Sequence, residues 1–363
     1  MIDPDMRVVR GPGTAEPAGR DRGALAWMLV GLSLGVFVAL ASTLPATSQT
    51  VTIVLPPKLM AGHPATLAVL GVDGRLAPAV NVELGDGQTI TTDRTGRAVF
   101  QVPAAGDYLL AKGSGVETVA LVDPAVAQTE PRAVVLPPIV SLNERFWICS
   151  AGLRGDADED SVKINGQPAL VLASSPICLV AWPGPNAQPG GAAVSVEAPG
   201  VQSSAMTTLV SLEFSPPNPP LNPGQQGRLV IRALGSSEKI EIVAQNRTPE
   251  VLRFTRGDTQ EIVTGGGPEN LAMVSVEAIS SGDFSFSARV RPTPDLVSAG
   301  RYLWAAVPLA PKDLKRKVAE LARQLAQQRS RDVRALRTKV QQLAQDTMAG
   351  DFQTLLEAAE AAL

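Results

Sequence analysis

The sequence predicts a mainly β chain, with tandem β-sandwiches between an N-terminal transmembrane helix and a C-terminal amphipathic α-helical tail. Three observations lead to this prediction. Residues 24–44 contain no charge, residues 51–308 alternate short β-type runs with turn residues, and residues 312–363 contain no Pro and a single Gly. Because domains average ~100–150 residues, a chain of 363 residues accommodates two or three of them.

The uncharged segment at 24–44 is long enough to cross a membrane as a helix. Its 21 residues would span roughly 31 Å, against ~30 Å for the hydrocarbon core. Four Arg precede it and no Lys or Arg occurs within 45–57, so the positive-inside rule keeps residues 1–23 in the cytoplasm and exports the rest. We therefore expect a single-pass protein of the cell membrane with its bulk extracytoplasmic, in the periplasm or at the cell surface.

Cleavage of this segment stays open. Ala46-Thr47-Ser48 has the small-x-small pattern of a signal-peptidase site. Residues 24–44 can therefore be an uncleaved signal anchor or part of a signal peptide that is cleaved near Ser48.

Composition argues against several classes of function. The net charge is −3 and the pI is near 5.4, which does not suit a nucleic-acid-binding protein. One His (His63) and two Cys provide too few ligands for a His-based zinc cage or an iron–sulfur set. His63 lies in a turn between Gly62 and Pro64, and no G-x-S-x-G nucleophile motif is present. We expect no enzyme activity and no cofactor.

The first predicted module, residues 50–122, consists of short strands such as those at 66–72 and 80–84. Asp73-Gly74, Asp86-Gly87 and Thr95-Gly96 separate the strands, and such pairs tolerate the positive φ of tight turns. Period-2 alternation with frequent turns is typical of an antiparallel sandwich. The pattern resembles bacterial Ig-like or transthyretin-like modules of the invasin and carboxypeptidase-regulatory types, which implies a fold and no chemistry.

The second predicted module, residues 137–209, contains VKINGQPA at 162–169 and a Pro-Gly-Gly that leads into its last strand. Asn165-Gly166 is a strong signal for a type I′ hairpin turn. These features resemble the IPT/TIG domain, an Ig-like fold of plexins and bacterial surface proteins. An oxidising compartment favours a disulfide between Cys149 and Cys178, although two separate buried thiols are an alternative. The resemblance places both cysteines on middle strands and so favours the disulfide.

The third predicted module, residues 211–308, opens with a Pro cluster at 216–223 that cannot pair in a central strand. It is similar to sandwich modules that accompany glycosidases and surface proteins. Together with Trp147, Trp182 and Trp304, this resemblance suggests a glycan ligand.

An acidic turn in the second module has the alternating carboxylates of a calcium loop, at Asp156, Asp158 and Asp160. The EF-hand pattern also requires Gly and Glu where this chain has Ser161 and Gln167. An acidic turn between strands fits better, and these three aspartates are a weak Ca²⁺ candidate.

The tail at 312–363 predicts a basic amphipathic helix, followed after Gly350 by a second short helix. Residues 312–344 contain ten Lys or Arg and only three Asp or Glu. One apolar stripe with a period near 3.6 comprises Leu314, Val318, Leu321, Leu325, Val333, Leu336, Val340 and Leu343.

Three interpretations of the tail remain. It can pack against the third module, it can bind a partner helix or a second copy through the apolar stripe, or its basic face can bind an anionic surface such as lipid head groups. The sequence as a whole predicts a membrane-anchored structural or adhesive scaffold that binds an envelope protein or itself. A carbohydrate-binding accessory protein is the alternative.

Overall fold

The computed structural model describes residues 7–9, 51–125, 133–198, 201–326, 332–345 and 350–363. The predicted span at 24–44 lies outside these residues, and none of the helices within them is long and apolar enough to cross a membrane. The first strand, β1 (Arg7–Val9), pairs antiparallel with Phe284–Phe286. If the chain crosses a membrane at 24–44, residues 7–9 and Phe284 lie on opposite sides of that membrane and cannot pair. The pairing of β1 and the predicted topology therefore exclude each other.

The first sandwich has two sheets around one apolar core. One sheet has the order β2-β4-β7 and the other β3-β9-β8-β5-β6. The strands are β2 (Thr52–Val54), β3 (Lys58–Met60), β4 (Pro64–Leu70), β5 (Asn81–Leu84), β6 (Thr89–Thr91), β7 (Arg97–Gln101), β8 (Tyr108–Gly113) and β9 (Val116–Asp123). Gly74, Gly87 and Gly96 all have positive φ, so the three predicted turns are present.

The second sandwich contains the predicted disulfide. Cys149 and Cys178 lie directly opposite each other on neighbouring strands and are bonded, which confirms that prediction. Asn165 and Gly166 both have positive φ, as a type I′ turn requires. The strands are β10 (Ile139–Ser141), β11 (Phe146–Cys149), β12 (Ser161–Ile164), β13 (Gln167–Ser174), β14 (Cys178–Trp182), β15 (Gly190–Ala198) and β16 (Val201–Ser215).

The second and third sandwiches share strand β16, whose 15 residues pair with β15 at one end and with the next strand, β17 (Gln226–Leu234), at the other. Leu209 belongs to the core of the second sandwich, whereas Val210 and Leu212 belong to the core of the third. Successive side chains point to opposite faces of a strand. The two cores therefore lie on opposite faces of β16, and the boundary predicted near residue 210 falls inside a continuous strand.

The third sandwich ends earlier than predicted, because its last strand stops at Val290 and residues 296–306 are helical. Its first sheet continues from β16 through β17 and β21 to β19, and its second has the order β1-β22-β18-β20. The strands are β17 (Gln226–Leu234), β18 (Glu241–Asn246), β19 (Leu252–Phe254), β20 (Thr259–Val263), β21 (Leu271–Ala278) and β22 (Phe284–Val290).

Four helices form a separate layer with its own apolar core, which we call the helical unit. They are α1 (Leu296–Ala306), α2 (Lys315–Ala326), α3 (Val333–Gln345) and α4 (Asp351–Ala362). Lys317 of α2 and Gln342 of α3 line the same groove, whereas in one continuous helix they would be about 37 Å apart. The single helix predicted over 312–344 is therefore wrong. The chain instead divides this stretch into two helices, α2 packed on α1 and α3 packed on α4, and both halves of the apolar stripe face inward.

The helical unit packs on the first sandwich through strand β9. Ala120 and Val122 point into the core of the first sandwich, whereas Leu121 and Val119 pack against the helices. Strand β9 is thus buried on both faces. A central strand of this kind reads as a continuous apolar run, and the Val119–Val122 sequence VALV fits that description.

Candidate functional site: a cleft between two sandwiches and the helical unit

A cleft of about 760 Å³ lies where the first sandwich, the second sandwich and the helical unit meet. Its volume falls within the ~300–1,000 Å³ of small-molecule sites. Strands β3 and β9 form one wall, β11 and the start of β14 a second, and helices α1 and α4 a third. No single module contains this site, so module-by-module sequence analysis did not find it.

The wall from the second sandwich carries the half-buried indole of Trp147 and the disulfide. Trp147 pairs with Val180 and Cys149 with Cys178 in the same β11–β14 ladder. This ladder fixes the backbone on both sides of the indole. The disulfide cross-links the same two strands, so the wall is rigid before any ligand binds.

The helical wall is positioned by the start of α1. Asp295 caps this helix, because its carboxylate accepts hydrogen bonds from the Ser298 backbone N–H at 3.0 Å and from Ser298 Oγ at 2.6 Å. One turn later Tyr302 reaches the cleft with only 7% of its surface exposed. Burial raises the pKa of the Tyr302 phenol well above its usual range, so the phenol stays protonated at neutral pH.

Two acidic groups along the cleft, Asp123 and Glu117, already have partners. Asp123 forms an ion pair with Arg301, which also donates to the carbonyl of Val122. Glu117 accepts a hydrogen bond from Thr354 Oγ1 at 2.7 Å and lies 3.1 Å from Lys112 Nζ. These contacts join β9 and its hairpin partner to the helical unit, so the charged groups hold the walls of the cleft together.

The single His of the sequence does not contribute to the cleft. His63 lies in the turn between β3 and β4, where its Nδ1 is 2.9 Å from the carbonyl oxygen of Ala61, and it is not among the lining residues. Within the part of the chain that the structure describes, no group of three or more His, Cys, Asp or Glu could hold a metal ion.

The Ca²⁺ candidate residues each have another partner. Asp158 forms an ion pair with Arg97 of the first sandwich at 2.8 Å. The buried Asp160 accepts a hydrogen bond from Ser174 Oγ at 2.5 Å, and Asp156 Oδ1 accepts one from the Asp158 backbone N–H at 3.0 Å. The acidic turn therefore joins two sandwiches and does not bring its three carboxylates together as a metal site.

The apolar stripe predicted to bind a partner is occupied within this chain. Six of its members are at most 7% exposed, and the other two are partly buried against the same core. The buried members are Val318, Leu321, Leu325, Leu336, Val340 and Leu343, and the partly buried ones are Leu314 and Val333. A partner cannot reach this stripe while the helical unit is intact, so the predicted docking surface is corrected to an internal core.

The three Trp residues considered for glycan binding lie in different environments. Trp182 packs partly buried against Leu70 and other residues between the first and second sandwiches. Trp147 lines the cleft, and Trp304 on α1 is 42% exposed. They do not form one aromatic platform, and Trp182 in particular is a packing residue.

No protein-family model matches the chain, and no curated protein matches it. Among solved structures, it is similar to the surface glycan-binding protein SGBP-B of the Bacteroides ovatus mixed-linkage glucan utilization locus, solved with a mixed-linkage heptasaccharide. The identity is 12%, the match covers 65% of this chain and 74% of that one, and the TM-score is 0.25.

Two further solved structures are Ig-domain proteins. The I9–I11 tandem of titin is 9% identical, with 66% of this chain and 95% of that one covered and a TM-score of 0.21. A Dscam structure is 11% identical, with coverage of 64% and 72% and a TM-score of 0.22. Scores this low do not describe a shared overall arrangement.

Proposed function

We propose that this chain is an exported, membrane-anchored scaffold of the cell envelope. It binds a partner protein, or a second copy, across a surface that its helical unit holds rigid. Residues 137–209 act in this proposal as an IPT/TIG-like module, which the type I′ turn at Asn165-Gly166 supports. The anchor is the segment at 24–44.

One observation carries the proposal: the helical unit contacts both the first and the third sandwich. On the first sandwich it covers Leu121 and pairs Arg301 with Asp123. On the third sandwich Arg337 of α3 contacts Glu261 of β20 at 3.4 Å. The helical unit therefore braces the three sandwiches by restricting the movement of the first and third relative to each other. The sandwiches do not behave as independently mobile domains.

A braced chain suits a scaffold because preorganisation lowers the entropy cost of binding. The side chains most exposed along the shared sheet include Met206 of the second sandwich, 69% exposed, and Met273 of the third, 54% exposed. Flexible Met side chains adapt well to protein partners. The outer faces of the second and third sandwiches point to opposite sides, because the two cores lie on opposite faces of β16. The proposed partner surface is therefore one of these two faces, around Met206 or around Met273, and the cores of the modules have no part in it.

Photo-crosslinking in cells tests partner binding directly. A photoreactive amino acid replaces Met206 or Met273, and Val72 of the first sandwich, 59% exposed, serves as the off-face control. A protein adduct or self-adduct of defined mass from Met206 or from Met273, and not from Val72, is expected. Equal labelling from all three positions, or no adduct from the sheet, would contradict the proposal.

The predicted topology has a separate test. Membranes are extracted at alkaline pH, and intact cells or spheroplasts are treated with protease. The proposal expects retention in the membrane pellet and digestion of the bulk from outside. Release into the supernatant would contradict the anchor. The mass of the released chain would then distinguish cleavage near Ser48 from an intact chain in which β1 pairs with Phe284–Phe286.

A second candidate function is carbohydrate binding in the cleft. A half-buried Trp147 lies among polar side chains that include Lys58 and Glu357, and a stacking aromatic with hydrogen-bonding groups suits a sugar ring. A glycan array would compare the wild type with Trp147→Ala and with Trp304→Ala, which lies outside the cleft. Binding lost only in Trp147→Ala would support this function, and a blank array would exclude it.

A further inference from the structure

The surface of the helical unit carries a group of cations with no partner among the described residues. Each is on or just before α2, or on α3, and its side chain forms no ion pair or hydrogen bond with the described part of the chain. We call them the free cation patch: Lys312, Lys315, Arg316, Lys317, Arg323 and Lys339, all exposed.

The patch contrasts with the other cations of the same unit. Arg301, Arg334 and Arg337 all pair with carboxylates of the sandwiches. The cations on the side of the unit that faces the sandwiches are thus neutralised by carboxylates of the same chain. The cations of the free cation patch are not. In a chain with a net charge of −3, a cluster of unneutralised cations favours an anionic partner.

The patch also has a shaped centre. A groove of about 300 Å³ runs between α2 and α3, with Lys317 on one helix and Lys339 on the other. Glu320, Gln324 and Gln342 complete its polar rim. Two ammonium groups on facing helices, with amide donors beside them, match the charge and hydrogen-bonding needs of a phosphate group.

The position of the patch favours a membrane surface over a dissolved anion. Only residues 45–50 separate the proposed span from Val51, the first described residue of the first sandwich, and this connection reaches at most about 25 Å. The helical unit packs directly on that sandwich through Leu121. The anchor would therefore hold the first sandwich, with the helical unit packed on it, beside the membrane.

We infer that the free cation patch binds the phosphate head groups of anionic lipids in the membrane that anchors the chain, with the Lys317–Lys339 groove as its centre. This second contact fixes the orientation of the braced sandwiches on the membrane. It rests on the anchoring in the proposed function only for proximity, because the charge and the groove belong to the described structure.

The test measures lysine reactivity on the full chain. The purified chain is combined with vesicles of phosphatidylglycerol and phosphatidylcholine, or of phosphatidylcholine alone, and labelled with an amine-reactive acetylating reagent before mass spectrometry. Lys315, Lys317 and Lys339 are expected to react at least threefold more slowly on the anionic vesicles. Lys239, exposed on the third sandwich, is the internal reference. The protection should disappear at 0.5 M salt, because screening weakens exposed charge interactions.

Two matched variants distinguish binding at the groove from an effect of the total positive charge of the chain. Lys317→Gln/Lys339→Gln removes two charges from the groove, and Arg232→Gln/Arg253→Gln removes two exposed charges from the third sandwich. Each cation near an anionic surface contributes roughly a fivefold gain in partitioning, so the groove variant should lose most of the protection of Lys315. Equal reactivity on both vesicle types, or equal loss in both variants, overturns the inference.

Failure of the anchor is distinguishable from failure of the patch. If alkaline extraction releases the chain but anionic vesicles still protect Lys317, the anchor is wrong and the lipid contact stands. If the chain is retained and Lys317 is never protected, the anchor stands and the lipid contact is wrong. A protein crosslink from α2 without lipid protection would also overturn it.

Discussion

Gly155 of the second sandwich lies against Pro64 of the first so closely that a Cβ at residue 155 would be 2.2 Å from the Pro64 carbonyl oxygen. The contact is reinforced on both sides. Thr66 Oγ1 donates to the carbonyl of Gly155 at 2.7 Å and accepts from the Ala157 backbone N–H at 3.1 Å. The joint between these two sandwiches is therefore made of backbone in direct contact, and only Gly fits at position 155.

Gly155→Ala should loosen this joint. Its φ of +77° already disfavours any other residue, and the added methyl group must also displace backbone. Gly166→Ala is the matched control, because Gly166 has a φ of +78° and nothing within 4 Å of its Cβ position. Both variants bear the left-handed cost of about 1–2 kcal/mol, and Gly155→Ala should lose about 1–3 kcal/mol more from overpacking. Equal midpoints of thermal unfolding would show that the contact can relax.

Arg337 should stabilise the joint between the helical unit and the third sandwich more than its neighbour Arg334 does. Arg337 has a side chain 5% exposed, contacts Glu241 and Glu261 and donates to the backbone oxygen of Leu363. Arg334 contacts the same Glu241 with a side chain 62% exposed. We expect Arg337→Met to lower the free energy of unfolding by about 2–3 kcal/mol, since it leaves charged hydrogen bonds unmade, and Arg334→Met by about 0–1 kcal/mol.

Limited proteolysis after thermal melting distinguishes a local from a global effect of these two changes. Faster cleavage between α2 and α3 in Arg337→Met, with the sandwiches intact, would locate the loss at the joint. Indistinguishable melting of Arg337→Met and Arg334→Met would contradict a bracing role for the buried guanidinium.

Asp160 should make stability depend on pH in the acidic range. Burial raises the pKa of its carboxyl above the usual value of about 3.9, although hydrogen bonds from Ser174 and the Arg154 backbone N–H oppose the shift. The folded chain thus binds this proton more tightly than the unfolded chain does. The resulting stability is fully present below the unfolded pKa and is lost as the pH rises through the folded pKa.

Two variants isolate this group. Asp160→Asn cannot titrate, so the difference between its thermal midpoint and that of the wild type should change between pH 4 and pH 7, in favour of the variant at the higher pH. Ser174→Ala removes a hydrogen bond that favours the carboxylate. In this variant the loss of stability that accompanies deprotonation of Asp160 should therefore occur at higher pH than in the wild type. A constant difference across the range would show that Asp160 does not respond to its burial.

Sequence patterns predicted the interior of each module better than the contacts between modules, for a physical reason. Turn residues act locally, so Asn165-Gly166 and the glycines of the first sandwich could be placed from the sequence alone. The cleft, the helical unit and the Gly155 contact depend on faces that meet across long separations. The apolar run at Val119–Val122 shows that both faces of β9 are buried, but it does not identify the helices that cover one of them.

The amphipathic tail shows the same limit in another form. The period of its stripe correctly indicated one buried face, yet a stripe does not say whether its cover is a partner or the same chain. Burial inside the chain incurs no association cost, which for separate molecules is at least several kcal/mol. This difference favours the folded-back helices α2 and α3 over a free docking helix.

The disulfide provides the last prediction, because it cross-links β11 and β14 in the wall of the cleft. Closing a loop with a sequence separation of 29 residues should stabilise the chain by about 3–4 kcal/mol, mainly through the unfolded state. Cys149→Ala/Cys178→Ala and the reduced wild type should therefore show the same lowered thermal midpoint. Because Trp147 lies on the same strand as Cys149, its fluorescence should change before global unfolding in both forms that lack the disulfide. An unchanged midpoint with a shifted Trp147 signal would mean that the bond acts on the cleft wall alone and contributes no global stability.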